Sequence, residues 1–115
     1  MSNEERTELS LAAAGVLYVN GQATDQVVAA IRRLTSKLGM IAELLPRWGE
    51  LQLRVQIGGA THMSYVAANP SGVDMDRVSS TMQAIAEIET GQLPPEVALR
   101  HEQHRISSAR QSPTE

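Results

Sequence analysis

The chain has no cysteine and no phenylalanine, and only one tryptophan and two tyrosines among its 115 residues. Without a thiol there can be no disulfide framework, no thiolate metal site and no cysteine nucleophile. Aromatics at 3% leave too few rings for a platform that stacks single-stranded nucleic acid. An excess of basic charge is missing too. Lys and Arg total 10 against 13 Asp and Glu, the net charge is −3 and the isoelectric point lies near 5.6, so no positive field is available for DNA, RNA or anionic lipid. The longest apolar run, Leu11 to Val19, falls well short of the ~20 residues of a spanning helix. Glu4, Glu5 and Glu8 outweigh Arg6 at the N-terminus, the wrong sign for a signal or transit peptide. The absences together describe a soluble cytoplasmic domain, of a length that supports one core.

What is present is a change of period along the chain. Ser2 followed by Glu5 has the spacing of a capping box, and Leu9, Ala12, Ala13, Val16 and Leu17 then recur as one helical face. Asn20-Gly21 stops that helix, since glycine takes the left-handed backbone a helix end needs. Thr24 is the expected N-cap of a second helix, with Asp25 facing the positive end of its dipole. Val27, Ile31, Leu34 and Leu38 form its buried stripe and Gly39 its end. So short a link predicts an antiparallel helix pair.

After Gly39 the period drops to two. Leu51, Leu53, Val55 and Ile57 alternate with Gln52, Arg54 and Gln56, as in a half-buried strand. Gly58-Gly59 suits a tight hairpin into a returning strand over 61–67. Ile41 to Leu45 forms a first strand, expected to halt at Pro46, which lacks a ladder N–H. Asn69-Pro70-Ser71-Gly72 is a turn cluster. Asp74 then caps a third helix with the stripe Met75, Val78, Met82, Ile85 and Ile88, and Gly91 ends it. A fourth, weakly apolar helix runs from Pro95 to Ile106. The expected fold class is α+β: two N-terminal helices, a small antiparallel sheet of about three strands and two C-terminal helices. One domain covers 1–106, followed by a polar tail over 107–115.

Chemistry-bearing constellations are few. His101 and His104 stand at i and i+3, not the i and i+4 of a helical zinc motif, and neither His62 nor a carboxylate offers an evident third ligand. A solvated polar helix accounts for them, so no metal and no cofactor is expected. Neither a Gly-x-Ser-x-Gly elbow nor a phosphate-cradling glycine loop occurs. The unusual stretch is Pro46-Arg47-Trp48-Gly49-Glu50. Arg47 and Trp48 have the character of interface or ligand anchors; the alternative is a bend whose Trp48 covers the core edge while Arg47 pairs with Glu50. Asn20, Thr24 and Asp74 have structural explanations as helix stop and caps. Together with Arg47, Trp48 and Glu50 they are the candidate ligand- or partner-binding residues.

The order of these elements and several motifs resemble the N-terminal soluble domain of the threonine/serine exporter family. The residues that carry the likeness are Asn20-Gly21-x-Ala23-Thr24-x-x-Val27, Arg33-Leu34 through Leu38-Gly39, and Leu44-Leu45-Pro46. They continue with Asn69-Pro70-x-Gly72-Val73-Asp74-Met75 and Ile88-Glu89-x-Gly91-x-Leu93, with Ala98 following. The likeness runs from Leu9 to about Leu99. The chain departs from it where Gln26-Val27-Val28 replaces Arg-Val-Glu and Pro46-Arg47-Trp48 replaces Pro-Thr-Gly.

The resemblance implies a module on the cytoplasmic face of the cell membrane, followed by a bundle of membrane helices in the same or a companion chain. It also implies export of small hydroxy amino acids, driven by the proton motive force. The residues Ser112 to Glu115 stand about where the first membrane helix is expected, as in an excised domain or one half of a split transporter, and the partner of the weak fourth helix would lie in the membrane part. The module's role would be gating, substrate sensing or assembly. Two readings compete: a small hydrolase of amino-acid or peptide derivatives, using Arg47, Glu50, Thr24, Asp74 and His62, and a structural domain that forms a homodimer.

Overall fold

Ser2 opens the first helix. Its hydroxyl accepts from the Glu5 backbone N–H at 3.1 Å, and the Glu5 carboxylate accepts from the Ser2 backbone N–H at 2.9 Å, which satisfies two donors that a helix start leaves orphaned. The computed structural model describes residues 1–47, 49–69 and 74–102. They form α1 (Asn3–Val19), α2 (Thr24–Lys37), β1 (Ile41–Arg47), β2 (Glu50–Ile57), β3 (Ala60–Ala67) and α3 (Met75–Glu89), then α4 over 95–102. This is the α+β order ααβββαα.

The three strands lie in the order β1-β2-β3, each pair antiparallel. Both hairpins close with two residues. Ile57 faces Ala60 across Gly58 and Gly59, whose φ values of 58° and 88° are the pair that a type I′ turn requires. Arg47 faces Glu50 across 48 and Gly49. β1 therefore runs through Pro46 and does not halt there. In a two-residue hairpin the flanking residues exchange both hydrogen bonds, so odd-numbered residues of β1 bond to β2 and even-numbered ones point away. The N–H that Pro46 lacks would have faced outward from an edge strand, and the ladder loses nothing.

The packing has three layers. Leu51, Leu53 and Val55 on β2 and Leu44 on β1 face inward and are buried. α1 and α2 cover that inner face, and α3 packs on both helices from the other side. α1 is accordingly buried over more than half of its circumference, through Leu9, Ser10, Leu11, Ala13, Ala14, Val16 and Leu17. That correction to a single apolar face follows from its place between two layers. Leu9 and Leu34 line one cavity, so the start of α1 meets the end of α2 and the two run antiparallel.

Three further expectations change. Ala23, not Thr24, holds the N-cap of α2, without a side-chain bond, and Thr24 is the first helical residue. The reason is the end of α1, where the Gln22 N–H returns to Leu17 O at 3.0 Å and the chain has already turned. On α3 the buried residues are Val78, Thr81, Ile85 and Ile88, while Met75 is 55% exposed. At about 100° per residue Met75 falls to one side of that arc, while Met82, nearer to it, is partly buried against the core as expected. α4, finally, does not lack a partner: Leu99 is buried, and Leu93 and Ala98 pack on the core. Trp48, the turn over 70–73, His104, the end of the fourth helix and the tail over 107–115 lie outside the described residues.

Candidate functional site

Connectivity brings the described candidate residues to one end of the molecule. α2 enters β1 through the short link at Gly39, so the two run antiparallel and Thr24 lies toward the Arg47 end of β1. Asn3, Thr7 and Leu11 of α1 line a groove with Val55, Ile57 and His62, which leaves the other end of that helix, with Asn20, toward the start of β2. Arg33 of α2 pairs with Glu89 of α3 at 3.4 Å. The late parts of both helices therefore meet, and Asp74 lies toward the beginning of α2.

At that end three of the side chains are engaged locally. Asn20 is buried, and its Nδ2 donates to Val16 O at 2.9 Å. Asp74 Oδ1 accepts from the Arg77 backbone N–H at 3.2 Å, as a helix cap. Glu50 accepts from Gln52 Nε2 at 2.7 Å. Arg47 and Glu50 are register partners and yet form no ion pair with each other among the described residues; the pair on that face is Arg54 with Glu43. Thr24 and Arg47 are exposed. Asn20, Thr24, Arg47, Glu50 and Asp74 thus share an end of the fold without a hydrogen bond between any two of them.

His62 stands apart from this group. It pairs with Val55, whereas Glu50 pairs with Ala67; five residues of strand at ~3.3 Å each separate the two rows by about 16 Å.

One residue at the candidate end has no counterpart among the sequence-based candidates. The Ala68 N–H donates to Gly49 O at 3.1 Å, and the Asn69 side-chain oxygen lies 3.3 Å from where a Cβ on Gly49 would stand. Gly49 also has φ +77°, so the glycine serves both the turn and the close approach of Asn69. The signal in the sequence is a glycine between two strand segments, but which side chain meets it depends on the exit of β3.

Two concavities lie elsewhere. A cavity of about 350 Å³ where α1, α2, α3 and α4 meet is lined by Leu9, Ala13, Leu34, Ile85 and Ile88, with Glu87 and His101 beside them. The groove of α1 against β2 and β3 is more open. Among the described residues no buried side-chain polar atom lacks a hydrogen-bond partner, and no cluster of three or more His, Asp or Glu could hold a metal. The Glu5 carboxyl is held below its ordinary value by the Ser2 backbone N–H and then by the Ser2 hydroxyl. No described helix is long and apolar enough to cross a membrane. Comparison with family models, with curated proteins and with solved structures finds no match.

Proposed function

We propose that the chain is the soluble module of a threonine/serine-exporter-like membrane transporter, working in gating, substrate sensing or assembly at the cytoplasmic face of the membrane. The observation that carries the reading is where the resembling motifs fall. Asn20 and Gly21 end α1, Gly39 ends α2, Asp74 caps α3 and Gly91 follows its last turn. The motifs thus fall at the joints between elements, which supports a common element order with that family. Its partner would be a membrane-helix domain of the same or a companion chain, and its cargo small hydroxy amino acids.

The test is made in the cell. A strain lacking the gene, fed a threonine-containing dipeptide, should accumulate internal threonine and recover when the gene is restored. Internal threonine that stays at the wild-type level refutes the reading. Calorimetry with threonine and serine then separates the roles. Saturable heat that disappears in Arg47→Ala means substrate sensing at the β1–β2 turn, whereas silence assigns the module to gating or assembly.

A further inference from the structure

We propose that β3 is a dimerisation edge, on which a second copy of this chain adds its own β3 antiparallel about a two-fold axis at Ser64. The two edges of the sheet are built differently. β1 carries Pro46, Glu43 and Arg47, devices that keep an edge strand from pairing. β3 reads ATHMSYVA over Ala60–Ala67, eight residues without proline, acid, lysine or arginine. It is also exposed over most of its length. An uncharged edge of that length is a template for another strand.

Hydrogen-bond parity fixes the register. The Ala68 N–H bonds Gly49 O, and Ile57 faces Ala60 across a two-residue turn. Even-numbered residues of β3 therefore bond to β2, and Thr61, Met63, Tyr65 and Ala67 turn their N–H and C=O groups outward. A two-fold at Ser64 maps that set of four onto itself, with Thr61 on Ala67 and Met63 on Tyr65 of the second copy. About eight hydrogen bonds then form, and no outward group of the strand is left over. A two-fold at Met63 would leave Ala67 outside the ladder.

Side chains favour the same register. Met63 and Tyr65 are 39% and 59% exposed on the outer face of the sheet. In the dimer each Met63 lies beside a Tyr65 of the other copy, a sulfur–aromatic contact formed twice at the centre of a six-stranded sheet. No like charges meet across the axis, because the strand carries none. A stable interface takes about a tenth of a small protein's surface from each partner. For a surface of 6950 Å² that is ~700 Å² per copy, more than the edge of one eight-residue strand supplies alone, so the pairing belongs with the small, weak interfaces. As a weak, transient pair it should dissociate in the micromolar range or above.

The experiment is sedimentation equilibrium of the whole chain from sub-micromolar to high-micromolar concentration, and it stands independently of the transporter reading. The expected result is a monomer that becomes a dimer. A mass that stays monomeric throughout overturns the proposal. Met63→Pro removes an outward N–H and none of the β2–β3 ladder, so it should weaken association at least tenfold; an unchanged dimer overturns the edge. Two double variants test the register on a solvent-exposed face. Met63→Lys with Tyr65→Lys sets like charges opposite one another and should be monomeric. Met63→Glu with Tyr65→Lys sets opposite charges there, and should dimerise with a dependence on salt that the parent lacks. If that second variant is monomeric, the register is wrong.

Discussion

Leu9 and Leu11 give the sharpest test of the layered packing, because they stand two residues apart on α1 and face opposite neighbours. At about 100° per residue they point some 200° apart around the helix. Leu9 lines the cavity with Leu34, Ile85 and Ile88, and Leu11 lines the groove with Val55 and Ile57. They are 5% and 8% exposed. A buried Leu→Ala change costs roughly 2.7–5.0 kcal/mol, less where the site can relax or admit water. Both positions border open space, which puts each near ~2–3 kcal/mol. A chain of this length has roughly 6–17 kcal/mol of stability in all, so each single variant should still fold. With a urea slope of about 1–3 kcal/mol per molar, each midpoint should fall by ~0.7–3 M. The faces share no lining residue in these two concavities, but the two positions are neighbours on one helix, so the double variant measures how far their losses are coupled. Urea unfolding followed by circular dichroism reads all three. Were α1 an ordinary surface helix with one apolar face, Leu11→Ala would stay within ~0.5 kcal/mol of the parent, and that result would refute the three-layer arrangement.

Other perturbations follow from single contacts. Asp74→Ala removes the α3 cap and should cost ~1 kcal/mol, while Asp74→Asn should cost only a few tenths; thermal melts distinguish them. Gly58→Asn should be nearly neutral because Asn tolerates φ near 58°, whereas Gly58→Val should cost at least ~1 kcal/mol in the same assay. Ser2→Ala should raise the Glu5 pKa toward its ordinary value in an NMR titration, since its hydroxyl contributes to the lowered value. The sign for stability is that of a depressed carboxylate: the contribution is present above the unfolded-state pKa and disappears as pH falls through the folded one. The acid limb of stability against pH should therefore flatten in Glu5→Gln.

Local devices are legible in the sequence because their causes are local. The Ser2–Glu5 box, the Gly39 stop, the Gly58-Gly59 turn and the Asp74 cap each need only a few consecutive residues, and all four stand as expected. What depends on the third dimension is less so. Leu11 and Ala14 look surplus to a single stripe on α1, and only a layer on each side gives them neighbours. Pro46 reads as a stop because a proline costs a ladder bond in a central strand, and nothing along the chain says that β1 is an edge. The candidate residues show both cases. Asn20 and Asp74 are recognisable as helix ends from their neighbours in sequence, whereas the contact of Asn69 with the Gly49 turn depends on where β3 leaves the sheet.

The asymmetry of the two sheet edges leads to a last prediction that joins Pro46 to the proposed dimer. Pairing through β3 leaves β1 as the outer edge on both sides of the six-stranded sheet. There Ala42 and Leu44 point their N–H groups outward, and Pro46 withholds the third. Pro46→Val would supply it and favour an extended strand, while changing the stability of the monomer by no more than ~1 kcal/mol. If Pro46 acts as the guard, the variant dimer has two unguarded ends and should grow into species larger than a dimer as concentration rises. Adding Met63→Pro closes the β3 edge, so the double variant should stop at a dimer formed through β1. Sedimentation velocity resolves the three cases. A Pro46→Val protein that never exceeds the parent's mass would show that Glu43 and Arg47 alone suffice to close the edge, and that the N–H missing at Pro46 guards nothing.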